Sequence, residues 1–217
     1  MKKFLALFLV ICFALSLSGC SKNTDSTESE PTESRPTVAV DNSRPSFGTY
    51  EDQNYVNPFL GIGIDFPDGW VFVTESELLS LNEITETDEQ KKAEAIAKAE
   101  TLYLTFAQEA ETYDSIKISA QKLGSEQTAR LDMAAKLKEL GDSTRETLEK
   151  MGATNVKNEI STAVIYGREL LISTTSSNFI GRNSIQTDFL LRCGDYVATV
   201  SVTTYTKTDI LSYFYFL

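Results

Sequence analysis

The chain has no histidine among its 217 residues. That removes the usual general base, the Ser-His and Cys-His nucleophile pairs, and the commonest zinc and copper ligand. It also lacks an excess of positive charge, with 20 Lys and Arg against 31 Asp and Glu. Nucleic acid and anionic headgroups are disfavoured as partners, because such a body is repelled from them. There is no Walker pattern and no G-x-S-x-G. Gly61-Ile62-Gly63 has Phe66 where a dinucleotide loop needs its third glycine. Only one long apolar run occurs, Phe4 to Leu17. It is shorter than the ~20 residues that span a bilayer as a helix.

That run follows Lys2 and Lys3 and closes on the small residues Leu17-Ser18-Gly19-Cys20. Basic start, apolar stretch and small-residue ending, in that order, predict a signal peptide over residues 1–19. Leu-Ser-Gly-Cys resembles the lipobox of bacterial lipoproteins. The resemblance implies cleavage before Cys20, a diacylglycerol thioether on its sulfur and acylation (palmitate or a similar chain) of the new amino terminus. Two or more acyl chains hold a protein stably at a bilayer, where one holds it marginally. The expectation is a lipid-anchored protein of the cell membrane, facing the extracytoplasmic side. Without residues 1–19 the side chains number 18 basic against 31 acidic, a net charge of −13. Cys12 leaves with the signal and Cys20 carries lipid, so Cys193 remains alone and no internal disulfide is expected.

Residues 20–54 read as anchor and disordered linker. From Ser21 to Pro45 the chain is dense in Ser, Thr, Glu, Asp, Asn and Pro, with too little apolar surface to offset ordering entropy. A disordered stretch from Ser21 to Asn54 would span roughly 30 Å r.m.s.. One α+β domain is expected over residues 55–217. Phe59 to Phe66 predicts a strand, Pro67-Asp68-Gly69 a turn, and Trp70 to Val73 a second strand. Thr74 with Glu77 predicts a helix start, and Thr87 to Glu100 a largely exposed helix. Strands are predicted over Leu102 to Glu109 and about Ile116 to Gln121, where apolar and polar residues alternate. Glu126 to Met151 predicts the main helix, with Gly141-Asp142 as a break or kink and Gly152 as its stop. A meander follows: Val156 to Tyr166, Glu169 to Thr175, a loop, Ser184 to Cys193, a Gly194-Asp195 hairpin and Tyr196 to Tyr205. Asp209 to Leu217 predicts a short closing helix. The sum is an antiparallel sheet of about six to seven strands with helices packed on it.

The Tyr55-Val56-Asn57-Pro58-Phe59-Leu60-Gly61 opening, the Pro67-Asp68-Gly69-Trp70 turn and the Met151-Gly152-Ala153-Thr154-Asn155-Val156 joint resemble a group of uncharacterised lipoproteins of low-GC Gram-positive bacteria. Their domain is similar in pattern to the PsbP-like fold. The resemblance implies a PsbP-like sandwich and brings no catalytic residues, since fold does not fix function.

Several residues invite a chemical reading. Ser119-Ala120-Gln121-Lys122 matches the S-x-x-K of penicillin-binding proteins, but lies on a predicted strand without the partner motifs, and reads as chance. Cys193 reads as a small strand residue rather than a reactive thiol. Six acids between Glu75 and Glu89 (Glu75, Glu77, Glu83, Glu86, Asp88, Glu89) lack the spacing of a calcium loop and read as a solvated face. Tyr213 to Phe216 is expected to pack half its rings on the sheet while the tyrosines keep wet tips. Lys117, Ser119, Gln121, Gln186, Asp188, Thr199, Ser201 and Thr203 share the polar side of the alternation. They could offer hydrogen bonds to glycan or peptide, though a plain solvated face explains them as well. The functional expectation is a non-enzymatic binding or accessory module of the cell envelope. Its partners would be the membrane, through lipid at Cys20, and an envelope protein or glycan; no catalytic residue, metal or cofactor is implied, and a monomer is expected. The alternatives are a carboxylate-based hydrolase of envelope or extracellular polymer, and a purely structural envelope component.

Overall fold

The computed structural model describes residues 38–206 and 208–217. Contacts divide the chain into two units, Met1–Thr37 and Val38–Leu217; the fold below is that of the second. The expected signal peptide, Cys20 and the first part of the linker lie outside the described residues.

Two antiparallel sheets build the domain. The smaller holds β1 (Thr49–Glu51), β2 (Asn54–Asn57), β3 (Ile62–Asp65) and β11 (Phe214–Phe216), in that order. The larger runs β4 (Trp70–Phe72), β5 (Thr101–Glu109), β6 (Ser115–Lys122), β10 (Tyr196–Thr204), β9 (Arg182–Cys193), β8 (Arg168–Phe179) and β7 (Thr154–Ile165). Helices α1 (Glu75–Leu81) and α2 (Glu89–Lys98) fall between β4 and β5, and α3 (Ser125–Arg130) and α4 (Met133–Lys150) between β6 and β7. The expected α+β class with antiparallel pairing is the one observed.

The inner faces of the two sheets share one core. Tyr55, Ile62, Ile64 and Phe214 from the small sheet cluster with Leu102, Leu104, Ile116, Ile118, Phe189 and Val200 from the large one. Alternation puts every second residue of β6 and β10 on this side, which is the period-two rule at work; in β5 a bulge near Leu104 shifts the phase, so that Leu102, Leu104 and Ala107 face the core. Phe189 and Phe214 meet edge to face at 5.5 Å across the gap. On the opposite face of the large sheet, α4 packs across β7, β8 and β9. Leu137 there joins Leu190 and Val197 in a second, small apolar cluster.

Local signals were legible where a side chain or turn closes on itself. Thr74 and Glu77 form a reciprocal capping box at the start of α1. Gly69 adopts φ 95° in the Pro-Asp-Gly turn, and Gly194, at φ 56°, turns β9 into β10. Four expectations are corrected. The strand expected over Phe59 to Phe66 starts only at Ile62, after a turn at residues 58–61, because the fully buried Asn57 at the end of β2 holds that turn. Its amide donates to the Ser46 carbonyl (3.0 Å), and its Oδ1 accepts from the Leu60 N–H (3.2 Å). The main helix breaks at Leu131-Asp132 rather than at Gly141, because the Asp132 carboxylate caps the N–H groups of Ala134 and Ala135 (3.0 and 3.1 Å). The loop before Ser184 is a tight hairpin through Ile180 and Gly181, both at positive φ. The closing helix shrinks to one 3-10 turn at Ile210–Tyr213, and Phe214–Phe216 becomes a strand on β3. The packed domain also begins earlier than residue 55. Phe47 is buried, and Thr49–Glu51 pairs with β2, so this end of the expected linker belongs to the fold.

Candidate functional site

The polar alternation does come together. Registers place Lys117 beside Ser201, Ser201 beside Asp188 and Asp188 beside Ser173, a row crossing β6, β10, β9 and β8 on the face that carries α4. Parallel rows hold Ser119 with Thr199, and Thr203 with Gln186 and Thr175. Gln121 opposes Val197 at the apolar end. All eight residues expected to share a face therefore share it.

Asp188 is the floor of this surface, only 2% exposed. Burial pushes its carboxyl above the ordinary carboxylate range; bonds from the Ser201 hydroxyl and the Gln186 amide, and the charge of Lys117, pull the other way. Gln186 donates to both carboxylate oxygens, at 3.1 and 3.0 Å. Beside it, the Asn158 amide donates to Ser173 Oγ and Thr175 Oγ1, each at 2.8 Å, and Ser177 and Ser184 share a bond of 2.8 Å. Helix α4 can lie over this polar strip only because position 141 is glycine. A Cβ there would meet Asn158 Cγ at 2.5 Å. The surface thus has a charged, hydroxyl-lined part, where Lys117, Ser119, Thr199 and Thr203 are half-buried, and a covered part under α4. It can exchange hydrogen bonds and present one cation beside a buried acid. The network from Asn158 through Ser173 and Thr175 was missed in the sequence, because polar residues on β7 and β8 carry no period-two signal of burial.

The other singled-out residues go to structural work. Cys193 is fully buried and its thiol is pushed up to about 12 by burial. Ser119 and Lys122 lie on β6, and the lysine donates to the Ala97 carbonyl (3.1 Å) near the C-terminus of α2. Of the acids between 75 and 89, Glu77 caps α1 and Asp88 caps α2, while Glu75 and Glu89 both accept from Lys92 (3.1 and 2.8 Å). Bonds from Thr74 hold the Glu77 carboxyl below its ordinary range. Among the described residues, no three acid or cysteine side chains are grouped to hold a metal ion. Phe214 is buried as expected, but so is Tyr215, whose hydroxyl donates to Asn54 Oδ1 (3.2 Å). Its tip is not wet. A second buried acid, Asp114, accepts from the Tyr205 N–H and the Thr206 hydroxyl, both at 2.6 Å, and so ties down the chain after β10. A groove along the outer side of α4 is lined by Lys138, Glu139, Asp142 and Glu146, but its acids are already in ion pairs with Lys136, Lys138, Arg145 and Lys150. Among the described residues, no helix is long and apolar enough to cross a membrane.

No family model matches the chain, and no curated protein does. Among solved structures it is similar to a protein from Bacteroides thetaiotaomicron VPI-5482, at 10% identity and a TM-score of 0.40. The likeness covers 76% of this chain and 48% of that one, so the chain spans about half the length of that structure. A likeness at that level leaves function to this chain's own residues.

Proposed function

We propose that the chain is a bacterial lipoprotein, lipidated at Cys20, whose α+β domain serves as a non-enzymatic binding or accessory module on the extracytoplasmic side of the cell membrane. The observation that carries this reading is Leu17-Ser18-Gly19-Cys20 at the end of a basic-then-apolar N-terminus. A side-chain charge of −13 without residues 1–19 suits a body held off an anionic bilayer by its linker. The finer fold reading, a PsbP-like sandwich of the kind found in lipoproteins of low-GC Gram-positive bacteria, draws support from the strand, Pro67-Asp68-Gly69-Trp70, strand opening.

The polar face around Asp188 is the binding surface of this reading, with an envelope protein or glycan as its partner. A carboxylate-only hydrolase would need two acids ~5–9.5 Å apart. The cross-strand neighbours of Asp188 are Ser201 and Ser173, with Lys117 one strand further on, so this acid has no second carboxylate beside it in its row. Expression of wild type and Cys20→Ser in a bacterium that processes lipoproteins tests the anchor. The wild type is expected in the membrane pellet with Cys20 as its acylated first residue, and Cys20→Ser uncleaved and unacylated. A Cys20→Ser chain that is processed and sediments as the wild type does would overturn the reading.

A further inference from the structure

The large sheet is covered unequally on its outward side. Among the described residues α4 lies over β7, β8 and β9, and α1 meets β5 from the core side through Leu78, so no helix lies on the outward side of β5 and β6. Two aromatic residues of β5 stand there. Tyr103 pairs with Ser119 and Phe106 with Lys117; since Lys117 and Ser119 are two apart on β6, all four share the outward face. In a regular strand, residues three apart point to opposite sides. The bulge between Tyr103 and Thr105 supplies the extra residue, Leu104, that brings both rings to one side. Asn82 fixes the strand at this point. Its side chain accepts from the Tyr103 N–H (2.8 Å) and donates to the Tyr103 carbonyl (2.9 Å). Both rings are half-buried, and neither joins either apolar cluster. Across β6, Thr199 and Ser201 of β10 continue the rows of Ser119 and Lys117.

Rings set beside hydroxyls and one ammonium on an open sheet suit a sugar chain. The C–H face of a pyranose stacks on an aromatic ring, and its hydroxyls exchange hydrogen bonds with serine, threonine, glutamine and lysine. We infer that this face binds an uncharged polysaccharide, with Tyr103 and Phe106 as stacking platforms for sugar rings and Lys117, Ser119, Gln121 and Thr199 as its hydrogen-bonding groups. The inference rests on the reading of the Asp188 face as a binding surface, and narrows it. Charge selects the occupant. The chain carries 31 acids against 20 bases, which repels polyanions. Yet none of those acids is among the outward residues of β4, β5, β6 and β10, so the face holds no charge for a cationic partner. Asp188, the acid at its margin, is buried with Gln186 and Ser201 bonded to it. The centre of a protein–protein contact is apolar, whereas here the two rings stand among hydroxyl, amide and ammonium groups.

Isothermal titration calorimetry of the full chain, in a detergent without a sugar headgroup, tests this. The probes are cellohexaose, chitohexaose and mannohexaose, with hexagalacturonate as the charged comparison. At least one uncharged probe is expected to bind, and more tightly than hexagalacturonate. Phe106→Leu and Tyr103→Leu keep apolar bulk without a ring, and each is expected to raise the dissociation constant roughly tenfold. Phe106→Tyr keeps a ring and is expected to stay within about threefold of wild type. Far-UV circular dichroism checks that each variant is folded. Cys20→Ser is expected to bind the same probe as the wild type does, so a failed anchor would leave this result standing. Cleavage of the bound probe, read by chromatography, would end the non-enzymatic reading but support the platform if both leucine variants weaken binding. Binding of none of the uncharged probes, preference for hexagalacturonate, or an affinity indifferent to both leucine exchanges overturns the inference.

Discussion

Replacing Gly141 with alanine tests whether α4 is seated on the polar strip as described. In an exposed helix interior this change stabilises by roughly 0.5–1 kcal/mol, because glycine loses more backbone freedom on folding. Here the added methyl would land on the Asn158 amide, with Cγ at 2.5 Å, where ordinary contact begins near 3.4 Å. Either α4 lifts or Asn158 turns away. Lifting opens the Leu137, Leu190 and Val197 cluster, and overpacking of this kind costs about 1–3 kcal/mol. Turning Asn158 breaks its two 2.8 Å bonds to Ser173 and Thr175, at about 1 kcal/mol each. Either route outweighs the helix gain, and the expected net destabilisation is about 1–2 kcal/mol. For a domain of this size that lowers Tm by roughly 2–8 °C. Urea unfolding of wild type, Gly141→Ala, Asn158→Ala and the double variant gives the coupling directly. The methyl should be tolerated once Asn158 is shortened, leaving an interaction energy of about 1–2 kcal/mol. A Gly141→Ala protein as stable as wild type, or more so, with no coupling to Asn158, would refute the close approach.

Two further outcomes follow from buried titratable groups. Asp188 has its carboxyl raised by burial, so the folded protein holds this proton where the unfolded chain has lost it. Its contribution to stability therefore falls as pH rises from the unfolded value of 3.8 through the folded one. Asp188→Asn should gain stability relative to wild type as pH rises above 3.8, with the difference levelling off below it; thermal melts across that range check it, and a difference independent of pH would contradict the buried acid. Cys193, pushed up to about 12, should resist a thiolate-directed reagent at pH 8 in the folded protein and react at once in denaturant. Rapid native labelling of Cys193 would contradict its burial under the sheets.

What the sequence by itself determined is the part written in short range. Period-two alternation in β6 assigned the faces of the sheet, since successive side chains of any strand point to opposite sides. The Thr74–Glu77 box and the Pro67-Asp68-Gly69 and Gly194-Asp195 turns announced themselves, because each meets its own backbone demand within a few residues. Only the tertiary structure decided which polar residues are buried. Asp188 looks like its neighbours on the alternating face until β8 and β10 flank it and Gln186, Ser201 and Lys117 gather around it. Likewise Asn57 breaks a run of β-forming residues through bonds to Ser46 and Leu60, and the Gly141 that reads as a helix break is a seat for Asn158. The aromatic tail reads as a helix and becomes a strand, because β3 presents an open ladder of backbone groups to Phe214–Phe216. Propensity is a matter of tenths of a kcal/mol per residue, and partners far along the chain override it.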